Sequence, residues 1–315
     1  MSRLAAFIPA VKTLDESVAR AKAAERLGYE SVWLSQLPDA RDASLVVAEY
    51  AAATERIKFG MGVLPIYTRH PTAMVQMAAT LDEMTGGRFI LGLGVSHKVT
   101  VESMWGLHLE SPVEAMREYL AIVQTSLKEG SCGFDGKYFK ATWSYSAPRP
   151  QKLPVVIAAL SSRMLDLAGE MADGVVLWMC SPNYIREQVV PIVKAARERR
   201  GKSLDGFDIV AHVPVCLTTD RRGGLDAFRP TVERYSNLPF YRKALDAAGY
   251  KDQLDAGNIT DAMLDDFAGI GDEQRVRAAI SRYRDAGLTL PAAGPFSGHK
   301  GAVGFEATLE AAAGS

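Results

Sequence analysis

Four times along this chain a helical segment with an apolar face stops at glycine or near it and runs straight into a short apolar stretch. That order limits the fold more than any other feature. Residues 13–28, TLDESVARAKAAERLG, set Val18, Ala21, Ala24 and Leu27 at helical spacing, with Thr13 and Glu16 placed as a capping box and Gly28 as the stop. SVWLS follows at once. HPTAMVQMAATLDEMTGG puts Met74, Met77, Ala78 and Leu81 on one face, halts at Gly86 and Gly87, and feeds RFILGLG. SSRMLDLAGEMADG feeds VVLWMC, and DEQRVRAAISRYRDAG groups Val276, Ile280 and Tyr283, stops at Gly287 and feeds LTL. Strands are expected at 4–8, 31–35, 57–64, 88–94, 154–159, 174–179, 208–217 and 288–292. Most are continuous apolar runs, as parallel strands covered on both faces are, and the spacing leaves room for a crossover helix each time. Eight such strands predict an α/β fold, a (β/α)8 TIM barrel, as one domain over residues 1–315; a doubly wound open sheet is the rival that the same alternation permits. The segments 128–150 and 221–270 are too long for simple connections, and the first reads as an elaborated loop of Gly, aromatics and Pro.

Bulk properties remove several function classes. Lys and Arg (36) nearly balance Asp and Glu (37), so no global field draws the chain to nucleic acid or an anionic membrane. The one basic run, residues 197–202, falls where a helix should end, a place that favours cations anyway. Cys132, Cys180 and Cys216 are far apart, with no CxxC pair, and no HxH or HExxH occurs, so neither a metal nor a disulfide framework is expected. MSRLAAFIPAVKTLDES lacks the apolar segment of a secretory signal, and no apolar run approaches the roughly 20 residues that span a bilayer. A soluble, cytoplasmic protein is the expectation.

In a barrel, chemistry gathers where strands end on their C-terminal side. Those ends are Ser35-Gln36-Leu37, Gly62-Val63-Leu64-Pro65, Gly94-Val95-Ser96-His97, Ala159-Leu160-Ser161-Ser162 and Trp178-Met179-Cys180. Gly92-x-Gly94 invites a dinucleotide-binding reading, but that motif needs a third glycine where His97 stands, and Lys98–Glu102 shows no clear helix opening. The glycines are better explained by close approach of backbone to a flat ligand. His97 is either a partly exposed loop histidine or an acid/base or substrate-orienting group. His70, before Pro71, reads as a helix cap; His108, His212 and His299 belong to no motif. Leu160-Ser161-Ser162 opens a helix, which makes either an ordinary serine cap or an anion pocket of free N–H groups and hydroxyls. Tyr67, Trp105, Trp143, Tyr145 and Trp178 are candidates for an aromatic lining or for core.

The strings ERLGYESVWLSQ, ATERIKFGMGVLPIYTRHPTAMVQMAATLDEMTGGRFILGLGVSHK, VIAALSSRMLDLAGEMADGVVLW and GDEQRVRAAISRYRDAGL resemble the luciferase-like monooxygenase superfamily, and within it the coenzyme F420-dependent oxidoreductases, its deazaflavin branch. The likeness spans nearly the whole chain and is weaker at 220–270 and in the last twenty residues. It implies a barrel holding a flavin or deazaflavin at its C-terminal mouth. It maps a third-strand bulge with a non-proline cis peptide onto Gly62, Val63 and Leu64. It maps phosphate-holding backbone amides onto Leu160, Ser161 and Ser162, where relatives often carry glycines. Gln36 and Leu37 stand where relatives frequently have an acidic residue and a histidine, which argues against sugar-phosphate dehydrogenase chemistry; His97 replaces that branch's catalytic glutamate. The resemblance thus assigns catalysis to His97 and cofactor contacts to Gln36, Gly62, Val63, Leu64, Gly94, Val95, Ser96, Leu160, Ser161, Ser162 and Trp178. The implied cofactor is coenzyme F420 and the implied reaction hydride transfer at deazaflavin C5 to or from a small organic substrate. An FMN monooxygenase using reduced flavin and dioxygen is the first alternative, and a non-catalytic flavin-binding protein the second. Such relatives are often dimers or higher oligomers, which allows a homodimer.

Overall fold

Eight parallel strands pair in a closed ring: β1 (Ala5–Phe7), β2 (Ser31–Leu34), β3 (Lys58–Met61), β4 (Phe89–Gly94), β5 (Val155–Ala158), β6 (Gly174–Leu177), β7 (Asp208–Leu217) and β8 (Leu290–Pro295). β8 pairs with β7 on one side and β1 on the other, and β7 pairs with β6, so no barrel edge is left open. The computed structural model describes residues 3–10 and 13–314. Helices α1 (Leu14–Arg26), α2 (Ala43–Ala52), α3 (Pro71–Thr85), α4 (Pro112–Glu129), α5 (Ser162–Met171) and α6 (Val190–Glu198) lie between successive strands. Three more, α7 (Arg221–Ser236), α8 (Pro239–Leu245) and α9 (Asp261–Phe267), build the long excursion after β7, and α10 (Glu273–Asp285) and α11 (Phe305–Ala313) complete the outer layer.

The helices start and stop as their sequences direct. The Thr13 hydroxyl accepts the Glu16 N–H at 3.2 Å, Asp42 and Asp272 cap α2 and α10 in the same way, and Gly86 ends α3 in the left-handed region at φ 63°. At the N-terminal rim Arg3 joins Glu30, before β2, to Asp208 at the start of β7, at 2.7 and 2.5 Å. Among the described residues no helix is long and apolar enough to cross a membrane.

Two shells of apolar side chains follow from strand alternation. The outer shell packs the sheet against the helices. The inner cluster fills the barrel with Ala5, Trp33, Val156, Val210, Leu290 and Ala292. Trp33 lays its indole over Gly60, its partner on the neighbouring β3, where a Cβ would stand 2.4 Å from the indole.

Local structure departs from the sequence reading in four places. The strand expected over 57–64 breaks at Met61, and a two-residue strand, Leu64–Pro65, resumes beside β4. Residues 128–150 hold a β-hairpin, Ser131–Asp135 with Lys140–Ser144, rather than an irregular loop; its alternating inward residues Cys132 and Ala141 seal onto Ile122 of α4. Val99–Met104 forms a π-helical turn directly after β4, where no helix opening was expected. A strand at Gly269–Gly271, unforeseen because two of its three residues are glycine, pairs with the end of β7.

Gly92 is the tightest position in the ring. A Cβ there would sit 1.7 Å from the Met61 carbonyl oxygen, whereas one at Gly133 meets nothing within 4 Å. Gly92→Ala is therefore expected to cost roughly 3 kcal/mol of unfolding free energy or more, because backbone must move. Gly133→Ala should stay within about 0.5 kcal/mol in the same denaturant titration. Equal stabilities for the two variants would contradict the close approach of β3 to β4.

Candidate functional site at the barrel mouth

Two residues beyond the inner cluster, the same alternation points a last layer of residues into the C-terminal mouth. On one side it is built from rings. Phe7 stacks on His212 with centroids 4.0 Å apart and planes 11° from parallel, and Trp178 covers the other side of His212 at 4.4 Å and 21°. His212 lies so close to β8 that a Cβ on residue 294 would fall 1.8 Å from its Nε2, so only glycine fits there. Burial pulls the His212 pKa down to about 3, against a smaller opposing effect of a hydrogen bond with the Gly294 backbone. The imidazole is neutral at physiological pH.

On the opposite side the layer is small. The peptide bond between Gly62 and Val63 is cis. The Gln36 N–H donates to the Val63 carbonyl at 3.2 Å, and the Ser35 hydroxyl donates to the Gly62 carbonyl. A Cβ on Gly94 would lie 2.4 Å from the Val63 side chain and 3.5 Å from that of Ala158. The glycines of β4 therefore make room for the bulge of β3 and not directly for a ligand, which corrects the sequence reading; the surface offered to the mouth is Val63, half-buried above them. Two further residues assigned to the cofactor have their side chains engaged by the protein itself. Leu64 is buried in the shell between barrel and helices. Gln36 uses its carboxamide locally, donating to the Leu37 carbonyl at 2.9 Å and the Arg41 carbonyl at 3.2 Å while accepting the Ala43 N–H at 2.8 Å.

After β4, Val95 and Ser96 are half-buried at the mouth, and Ser96 adopts φ 59°, a left-handed conformation uncommon for a residue with a Cβ. The turn aims His97 at the excursion after β7. Its ring lies 5.6 Å from Tyr241 and 6.5 Å from Tyr235. Burial, and then the positive charge of Arg234, hold the His97 pKa below its ordinary value, so this imidazole too is neutral at pH 7. Tyr235 in turn meets Tyr241 at 4.8 Å and the edge of Trp178 at 5.5 Å. An unbroken aromatic arc thus runs Phe7, His212, Trp178, Tyr235, Tyr241, His97. Met179, at φ 51°, is likewise a non-glycine residue in the left-handed region and adjoins Trp178.

Leu160, Ser161 and Ser162 follow β5. The Ser161 hydroxyl accepts the Met164 N–H at 3.3 Å, the ordinary serine cap, and it leaves first-turn N–H groups of α5 for an outside acceptor. Both serines are exposed. Two tyrosines fix these loops: Tyr184 donates to the Leu160 carbonyl at 2.6 Å and Tyr283 to the Cys180 carbonyl at 2.9 Å. A Cβ on Gly94 would meet both Val63 and Ala158, and β3, β4 and β5 are neighbours in the ring, so the chain segments bearing Val63, His97 and Ser161 emerge side by side on one mouth.

A cavity of about 230 Å³ opens between the Phe7–His212–Trp178 stack and α7, with Phe228 and Thr231 on its α7 wall and Phe296 beside them. Of the residues assigned from sequence, only Trp178 lines it. The Trp178 Nε1 is buried with no hydrogen-bond partner among the described residues, as is the Tyr67 hydroxyl. Trp143 and Tyr145 lie elsewhere: Trp143 donates to the Ser126 hydroxyl at 3.1 Å in the hairpin cluster, with Tyr145 against it. His70 caps α3, as its sequence position implied. His212, Tyr235 and Tyr241 escaped the sequence reading; an inward-facing register in VAHVPV was the one available signal, for His212. No group of three or more His, Cys, Asp or Glu among the described residues could hold a metal ion.

Comparison with known proteins converges. Residues 2–290 match the family model described as luciferase-like monooxygenase. The 5,10-methylenetetrahydromethanopterin reductase of Archaeoglobus fulgidus is 30% identical over 306 residues, covering 91% of each chain. A Mycobacterium tuberculosis protein that carries the provisional assignment of a coenzyme F420-dependent oxidoreductase is 27% identical, covering 85% of this chain and 87% of that one. The structure of the coenzyme F420-dependent tetrahydromethanopterin reductase from Methanopyrus kandleri superposes with a TM-score of 0.80 at 24% identity, covering 99% and 97%, and shares the barrel.

Because folding pulls the His212 pKa from its ordinary 6.5 to about 3, the folded state refuses a proton that the unfolded state accepts between those values. The associated stability is complete above pH 6.5 and is lost as the pH falls toward 3. In His212→Gln this component is absent. The stability gap between wild type and variant should narrow on the order of 2 kcal/mol from pH 6.5 to pH 5, read from urea midpoints. Parallel curves would contradict a desolvated, neutral His212 imidazole.

Proposed function

The chain belongs to the luciferase-like monooxygenase family of enzymes, and from that premise we propose that it is a coenzyme F420-dependent oxidoreductase exchanging a hydride with a small organic substrate. One observation carries the reading: strand ends bearing a half-buried valine bulge, a neutral histidine and a helix start meet at one aromatic mouth. The names of the curated relatives, a methanopterin reductase and a provisional F420 oxidoreductase, lean the same way.

The residues present fit such a cofactor. Val63 offers an apolar surface for a flat ring. The buried, unpartnered Trp178 Nε1 is a donor available to a polar ring substituent. The N–H groups at the start of α5, with Ser161 and Ser162, suit a phosphate, and they survive the replacement of glycine by serine because the donors are backbone. Gly94, Val95 and Ser96 hold the β4 end against the bulge. When bound, a deazaflavin supplies hydride chemistry at C5. The chain's part is to orient the partners, keep water out with the Tyr235–Tyr241 cover, and handle the accompanying proton. His97, neutral at pH 7, can accept a proton at a free ring nitrogen or donate one from the other. Its pKa lies below 6.5, so a step that needs it as a base should persist on acidification until that lowered pKa is passed.

Titration of the purified protein with coenzyme F420 and with FMN, each followed by its own fluorescence, tests the cofactor. Saturable F420 binding that FMN does not match is expected; preference for FMN would favour oxygen-dependent monooxygenase chemistry instead. His97→Ala should lower kcat by roughly 10²–10⁴ while F420 affinity stays close to wild type. Unchanged kcat, or equal loss of both, would reject the assigned role.

A further inference from the structure

The cavity and the residues assigned to the cofactor lie on different arcs of the ring. Val63, His97 and Ser161 follow β3, β4 and β5; the cavity walls come from β1, β7 and β8 and from α7, and Trp178 after β6 borders both. Resting on the cofactor reading above, we propose that this cavity seats a neutral, planar, ring-bearing portion of the substrate, beside the cofactor and not part of its seat.

Three features define that chemical class. First, among the described residues lining the cavity none is Asp, Glu, Lys or Arg. An ion moved there would give up its hydration for no opposite charge, a cost far above that of a neutral amide or heterocycle. Second, its walls are aromatic edges. Phe7, His212 and Trp178, stacked face on face, can turn only ring edges to a cavity that all three line, and Phe228 with Phe296, stacked at 5.4 Å and 29°, adds a second aromatic wall. Such edges favour edge-to-face contact with a planar ring over a branched aliphatic group. Third, the polar equipment is sparse: the hydroxyls of Thr231 and Ser297, and the imidazole of His212. A few such groups orient a neutral heteroatom without demanding charge. At about 230 Å³ the space equals some eight waters at ~30 Å³ each, enough for one ring or two fused rings.

Ala227 and Thr231, on the α7 wall, make the cavity testable without touching the residues assigned to the cofactor. Benzamide and benzoate, the same ring with a neutral or an anionic group, serve as probes in ligand-observed NMR titrations of the full chain, without cofactor and with F420 added. Benzamide is expected to bind in both conditions and benzoate at least tenfold more weakly. Ala227→Phe should abolish benzamide binding and leave the F420 titration unchanged; Ala227→Leu makes the same test if the larger variant does not fold. Equal binding of the two probes, binding of neither, or benzamide binding that survives the filled wall would overturn the proposal. So would parallel loss of benzamide and F420 binding in the variant, which would make the cavity the cofactor's own while leaving the redox reading intact. Benzamide binding that is lost in the variant, in a protein that never binds F420, would support the ring pocket and refute the cofactor reading instead.

Discussion

A closed barrel has a fixed amount of room at its mouth, and in this chain that room is divided unequally. Phe7, His212 and Trp178 fill one side as a stack of rings, while Gly62, Gly94 and Ala158 leave the other side nearly free of side chain. Neither half works alone. The rings need Gly294 to let His212 lie against β8, and the bulge at Val63 needs Gly92 and Gly94 to make way for it. The division turns a packed barrel interior into a surface with an apolar shelf on one side and an aromatic wall on the other.

The excursion after β7 completes the surface and sets its electrostatics. Tyr235 and Tyr241 bridge from Trp178 to His97, so helices far from β4 in sequence decide how much water reaches that imidazole. The excursion is itself braced: Arg229 of α7 pairs with Asp261 of α9 at 2.6 Å, and the Tyr250 hydroxyl donates to Asp266 at 2.7 Å. With both histidines largely desolvated and held neutral, and Arg234 as a nearby positive charge on His97, fixed dipoles at the mouth act more strongly than they would in solvent.

Much of this was legible in the sequence, and the failures have physical causes. The barrel was readable because four helices end at or near a glycine stop and most strands are continuous apolar runs, so periodicity and punctuation agree. The placing of Val63, His97 and Ser161 at strand ends followed from the fold alone. Resemblance to a family, and no spacing rule, located the cis bond at Gly62–Val63. Position at a strand end does not say where a side chain is spent: that of Gln36 serves its own loop, and that of Leu64 the outer core. The hairpin at 131–144 hid behind glycine and polar residues on its exposed face. Tyr235 and Tyr241 could not have been found, since their roles depend on how three helices fold back over the mouth, which no local pattern records.

The central claim is that one flat, phosphate-bearing redox molecule is held by the ends of β3, β4 and β5. A crystal structure of the protein soaked with coenzyme F420 tests it most directly. The account requires density for the ring against Val63, with His97 within reach and the phosphate on the amides that open α5. A ring lodged elsewhere, or a phosphate bound away from Ser161 and Ser162, would contradict it.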